Sequence, residues 1–125
     1  GLSQASIIVT SGANLISADV SLDSSNTVAA VAAGASLTIS GSIGGIGSLV
    51  KSGPGLLDLT NPINSYGGNT TISGGTLGFA GLGSLGAGNL NFDAGTLFYN
   101  TGNTADISGK LVTFATGGGV INTNR

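Results

Sequence analysis

The sequence has no cysteine, histidine, methionine or tryptophan, and only two prolines in 125 residues. Without Cys there is no disulfide framework, thiol nucleophile or thiolate metal site; a chain free of crosslinks is also suited to crossing an oxidising compartment unfolded. Without His, general acid–base catalysis has almost no candidates. Charge is scarce too: 6% of residues carry one, against roughly 25% in an ordinary soluble domain. The cations are Lys51, Lys110 and Arg125, the net charge is -2, and no basic cluster exists to neutralise phosphates, which argues against nucleic acid as a partner. Aromatics make up 5% and glycine numbers 24, a balance that suits a narrow, regularly stacked interior. Disorder is not expected, because disordered chains are rich in charge and poor in Val, Ile and Leu. The length fits one domain or part of one.

The five acids are Asp19, Asp23, Asp58, Asp93 and Asp106, and no two share a position modulo 20. No pair stacks on one face at the separation that glycoside hydrolysis requires, so the expectation is a protein that is not an enzyme, with no catalytic, cofactor-binding or metal-binding residues. The window Val28 to Ile46 is free of charge, but Gly34, Gly41, Gly44 and Gly45 interrupt it and it alternates rather than running apolar, so it is not a membrane span. Gly1 opens without a charged n-region or an apolar h-region, and no secretory signal is expected in this stretch.

What the chain does have is period-2 alternation cut by glycine. Ser6 to Thr10 and Leu15 to Leu22 are strand candidates, Asp23 to Asn26 is a loop, and Val28 to Ala33, the one segment with some helical propensity, is too short to stand alone and is assigned to strand or turn. From Gly34 the pattern repeats. Leu37, Leu57, Leu77 and Leu97 advance by a constant step of 20, and Ile39, Leu59, Phe79 and Tyr99 keep the same step. A further column is Ile72, Phe92 and Val112. Each unit has too few apolar residues to bury them alone, so the units must stack. The expected fold is all-β: a parallel β-helix of about 20 residues per coil and roughly six coils, about 29 Å long at the strand spacing. Leu57 then lies between Leu37 and Leu77 inside the tube, with Thr38 and Asp58 outside. The alternative is a β-sandwich whose spacing is coincidental.

Several strings match chemical motifs without their context. Gly81 to Gly86 reads G-x-G-x-x-G, but strand and turn follow it where a dinucleotide site needs a helix. Ser48 to Lys51 reads S-x-x-K without a helix to aim the serine, and Lys51 is taken as a solvated strand residue. Gly44 to Leu49 lacks the aspartate of the calcium nonapeptide. Asn69-Thr70-Thr71 is a glycosylation sequon only in a eukaryotic secretory context.

The most marked stretch is Ser48 to Ala80. It contains Leu49-x-Lys51-x-Gly53-x-Gly55-x-Leu57-x-Leu59, then Asn64-x-Tyr66-x-Gly68-x-Thr70-x-Ile72, then Gly75-x-Leu77. This resembles the autotransporter-associated β-strand repeat, or passenger-associated transport repeat, of type V secretion passenger domains. Gly86 to Tyr99 and Gly117 to Asn124 are similar to the coils that follow such repeats. One departure is Thr60-Asn61-Pro62-Ile63-Asn64, a residue longer than the usual turn and carrying a proline suited to a corner rather than a ladder. The resemblance implies a right-handed β-helix, with residues 1–125 a single segment of a longer passenger. It implies a structural segment that promotes secretion and folding across the outer membrane of a Gram-negative bacterium, ending secreted or at the cell surface. The implied partners are neighbouring coils and the C-terminal translocator barrel, with no cofactor. A second reading is an adhesive rod whose exposed Thr, Asn and Tyr side chains bind a host surface or glycan.

Overall fold

Strands of three to six residues, each with one apolar face, can bury that face only against copies of themselves, and this is what the chain does. The computed structural model describes residues 4–124; Gly1 and Arg125, which entered the reading of the chain's opening and charge, lie outside the described residues. The strands are β1 (Gln4–Val9), β2 (Ala13–Ile16), β3 (Val20–Leu22), β4 (Asn26–Val31), β5 (Ser36–Ile39), β6 (Ile43–Gly45), β7 (Ser48–Ser52) and β8 (Leu56–Leu59). There follow β9 (Thr70–Ile72), β10 (Thr76–Phe79), β11 (Leu90–Phe92), β12 (Thr96–Tyr99), β13 (Val112–Phe114) and β14 (Val120–Asn122). The expected strand at Leu15 to Leu22 is split between β2 and β3, and Val28 to Ala33 falls largely in β4. The uncharged window from Val28 to Ile46 forms β4, β5 and β6, and among the described residues no helix is long and apolar enough to cross a membrane.

Two six-stranded sheets, β1-β4-β7-β9-β11-β13 and β2-β5-β8-β10-β12-β14, and the pair β3-β6 form the walls of the solenoid. Strand pairing is parallel in all three, which rules out the antiparallel sandwich. The stack makes about five turns of about 22 residues. The step is 20 in the middle, where Leu57 pairs with Leu37 and Leu77, and Leu97 with Leu77. It widens toward the ends: Gln4 pairs with Asn26, a step of 22, and Thr96 with Val120, a step of 24. The central ladder alone therefore overstates the number of coils.

Alternation turns every second side chain inward. One inward column runs Asn14, Leu37, Leu57, Leu77, Leu97 and Ile121, and its neighbour runs Ile16, Ile39, Leu59, Phe79 and Tyr99. Leu57, Leu77 and Leu97 are fully buried, each burial contributing roughly 1.5 to 3 kcal/mol. Phe79 and Tyr99 meet edge to face with centroids 4.6 Å apart. The opposite wall gives the columns Ala5, Thr27, Leu49, Thr70, Leu90, Val112 and Ile7, Ala29, Lys51, Ile72, Phe92, Phe114. Here the expected Ile72-Phe92-Val112 column needs correction. Phe92 is followed by Phe114, stacked at 4.7 Å, and Val112 lies over Leu90. The turns at Asn100 to Asn103 and Ile107 to Lys110 lengthen that coil, so the step from β11 to β13 is 22 rather than 20.

The third wall loses regular strands after β6. Its coils are held instead by main-chain bonds such as Ser65 N–H to Ile43 O (2.7 Å) and Asn64 N–H to Gly83 O (2.9 Å). Pro62 sits in this loop, outside any ladder, and the Ile63 N–H turns back to the Asn61 side chain (2.9 Å).

Candidate functional site

The repeat-like stretch supplies the structure's distinctive polar chemistry, and that chemistry is turned inward. β7 alternates so that Leu49 and Lys51 face the interior while Ser48, Val50 and Ser52 face out. Ser48 and Lys51 therefore project to opposite faces, and the S-x-x-K string cannot act as a nucleophile and its base. Lys51 is fully buried, in correction of its assignment to solvent. Its place is set by the two-residue period from Leu49, a signal that the sequence carried and that residue type overrode. Its Nζ donates to the carbonyls of Ser52 (2.7 Å), Gly53 (2.7 Å) and, one coil later, Gly74 (3.3 Å). Gly75 closes this corner at φ 62°, and a Cβ there would lie 2.8 Å from Lys51 Nζ and collide with the carbonyls of Gly53 and Gly55.

The motif's other polar residues behave in the same way. Asn64, nearly buried, accepts the Ile43 N–H on Oδ1 (2.9 Å) and donates from Nδ2 to Ser84 O (2.9 Å), so one side chain ties three successive coils. Tyr66 is fully buried, with its hydroxyl 2.6 Å from Thr70 Oγ1. Thr70 gives its own proton to Leu85 O (2.9 Å), which makes Tyr66 the donor of the pair. Gly68 and Gly55 pass so close to the preceding coil that a Cβ would strike main-chain oxygens, of Gly47 in the first case and Ala32 and Ala35 in the second; Gly53 abuts Val31 O likewise. Ser84, not singled out by the sequence, is buried, accepts from Ala80 N–H and Gly81 N–H (3.2 Å each) and donates to Asn61 O (2.7 Å). The glycines at 81–86 thus wrap a single 3-10 turn, Leu82–Leu85, and no dinucleotide-binding helix begins there.

Outward positions are less simple than alternation implies. Asp58 is half-buried and accepts from Asn100 Nδ2 at 2.7 Å, two coils away, across Gly78, whose missing side chain leaves the passage open. Of the other acids, Asp19 accepts Ser42 N–H (3.0 Å) and Asp93 accepts Gly117 N–H (3.3 Å), each one coil on, while Asp23 accepts from Ser21 Oγ (2.8 Å) and Asp106 accepts Ser108 N–H (2.9 Å), each two residues away. Among the described residues no group of three His, Cys, Asp or Glu could hold a metal, and no pocket is formed.

The buried ionisable groups give a pH dependence. Burial pushes the Lys51 ammonium down to about 8 from its ordinary 10.5. Between those values the unfolded chain binds a proton that the folded chain does not, so stability rises with pH over this interval. Half-buried Lys110, lowered by desolvation, adds in the same direction. Burial raises the Tyr66 phenol well above its ordinary value near 10, so the unfolded chain loses that proton first and the trend reverses above about pH 10. Urea midpoints should climb from pH 7.5 to 9.5; a flat or falling midpoint would place Lys51 in water.

No curated protein and no solved structure matches the chain. The family model described as Passenger-associated-transport-repeat matches residues 49–78. That span begins at inward Leu49, takes in Lys51, Asn64, Tyr66, Thr70 and Gly75, and ends one residue past Leu77, while the buried polar residues Thr27, Ser84 and Asn103 lie outside it. Residues 49–78 of this solenoid are a match to the passenger-associated-transport repeat of autotransporter passengers, the family that this stretch resembles.

Proposed function

We propose that the chain is a structural segment of an autotransporter passenger, and that its repeat promotes secretion and folding of the passenger across the outer membrane. The observation that carries this reading is that the matched residues spend their polar side chains on bonds between coils: Lys51 to Gly74, Asn64 to Ile43 and Ser84, Thr70 to Leu85. Such a coil offers the next one a preformed edge, so coils emerging first can template those behind and resist backsliding. A chain with few charges and no disulfides also meets little resistance in a narrow pore. The repeat family implies a secreted or cell-surface protein of a Gram-negative bacterium, with adjoining coils and a translocator barrel as partners. The fold and repeat support a structural part rather than an enzyme. The adhesive reading would rest on exposed Thr and Asn alone, since both tyrosines, Tyr66 and Tyr99, are buried.

Because Thr76 pairs with Leu56 and Thr96 with Thr76, deleting residues 57–76 or 77–96 removes one full step and keeps the ladder in register. In cells displaying the passenger, loss of 57–76 should lower surface display several-fold and loss of 77–96 much less. Equal display of both deletions and the parent would sink the proposal.

A further inference from the structure

The two lysines of the chain share a geometry that neither strand pairing nor secretion calls for. Each directs its ammonium at main-chain carbonyls of glycine-rich corners. Lys51 takes those of Ser52, Gly53 and Gly74, and Lys110 reaches back to Gly86 O (2.6 Å) and Gly88 O (3.0 Å). At Lys51 the enclosure is complete: the residue is fully buried, small Ala29 lies beside it on one strand and Ile72 on the other, and Gly75 leaves the space beside Nζ open. An ammonium carries three N–H donors, and three carbonyl oxygens meet it here. An amine buried among apolar residues without such partners would be strongly disfavoured.

From this geometry we infer that the corner formed by residues 52–53 and 74–75 is a carbonyl-lined binding site for a primary ammonium, which the chain fills with its own Lys51. The lysine acts as a tethered ligand that fastens one coil to the next through its N–H donors, its aliphatic stem serving as the leash. Emptied of the side chain, the site takes a small primary amine from solution through the same N–H donors, and because burial disfavours the charged form here as it does for Lys51, uptake strengthens as pH rises from about 7 to about 9. The inference is independent of the secretion reading, since it concerns one joint within the fold.

Two variants test it. Lys51→Met keeps an unbranched apolar stem and removes the donors, and should melt about 10 °C below the parent. Lys51→Ala removes the atoms of one propylammonium. Adding propylammonium should raise its melting temperature by several degrees, or restore its β-type circular dichroism if it does not fold unaided, whereas 1-propanol of like size should do much less and the parent should not respond. Either of two results overturns the inference: Lys51→Met melting with the parent, or Lys51→Ala behaving alike in propylammonium and propanol.

Discussion

Replacing Leu77 by aspartate should unfold the protein. Leu77 is fully buried between Leu57 and Leu97 in the central column, two residues from Phe79. Truncating such a leucine costs about 2 to 5 kcal/mol through lost burial and the cavity left behind. A carboxylate there must in addition be stripped of water with no cation beside it, a further cost of several kcal/mol. Together these approach the whole stability of a domain, roughly 5 to 15 kcal/mol. Circular dichroism and a urea titration read the outcome. Asp58→Ser, on the outward side of the neighbouring strand, is the comparison. It loses only the bond to Asn100 and should cost about 1 to 2 kcal/mol, more than the near-neutral change that a freely solvated aspartate would give. Equal losses at 58 and 77 would mean that the inward and outward faces are exchanged.

The second large effect belongs to Gly75→Ala. At φ 62° the backbone is in the left-handed region, where an added Cβ alone costs about 1 to 2 kcal/mol. The same Cβ would collide with the Gly53 and Gly55 carbonyls and crowd Lys51 Nζ, so the two coils must part at their tightest point. The expected loss is about 3 to 5 kcal/mol. Gly34 separates the two contributions: its φ is 73° and nothing lies within 4 Å of its Cβ position, so Gly34→Ala should show the backbone cost alone. If the two variants had the same urea midpoint, contact between coils at Gly75 would contribute nothing.

The solenoid was legible in the sequence wherever two conditions met: large apolar residues at inward positions and a constant step. Leu37 to Leu97 satisfy both, so their pairing could be read from spacing. Residues 4–33 satisfy neither. Their inward positions include Ala5, Thr27, Ala29 and Asn14, and their steps are 22 or 23, so strands were visible there but register was not. Val112 failed for the second reason alone, displaced by the extra turn before β13. The interior of the repeat was obscured differently. Lys51, Asn64, Tyr66 and Thr70 are polar by type, and only their phase with Leu49 and Ile72, or partners one coil away, shows that they point inward. The carbonyls that receive Lys51 and Thr70 belong to the main chain and leave no trace in residue identity.

The near-constant step has a mechanical meaning. Neighbouring coils are joined by hydrogen bonds that run along the axis of the rod, while the covalent chain runs around it. A pull on the two ends therefore loads one coil junction at a time, and the molecule yields like thread from a spool. Each turn of about 22 residues, once freed, lengthens the thread by about 70 Å, where in the stack it occupied about 4.8 Å. A short rod of this construction thus stores many times its own length.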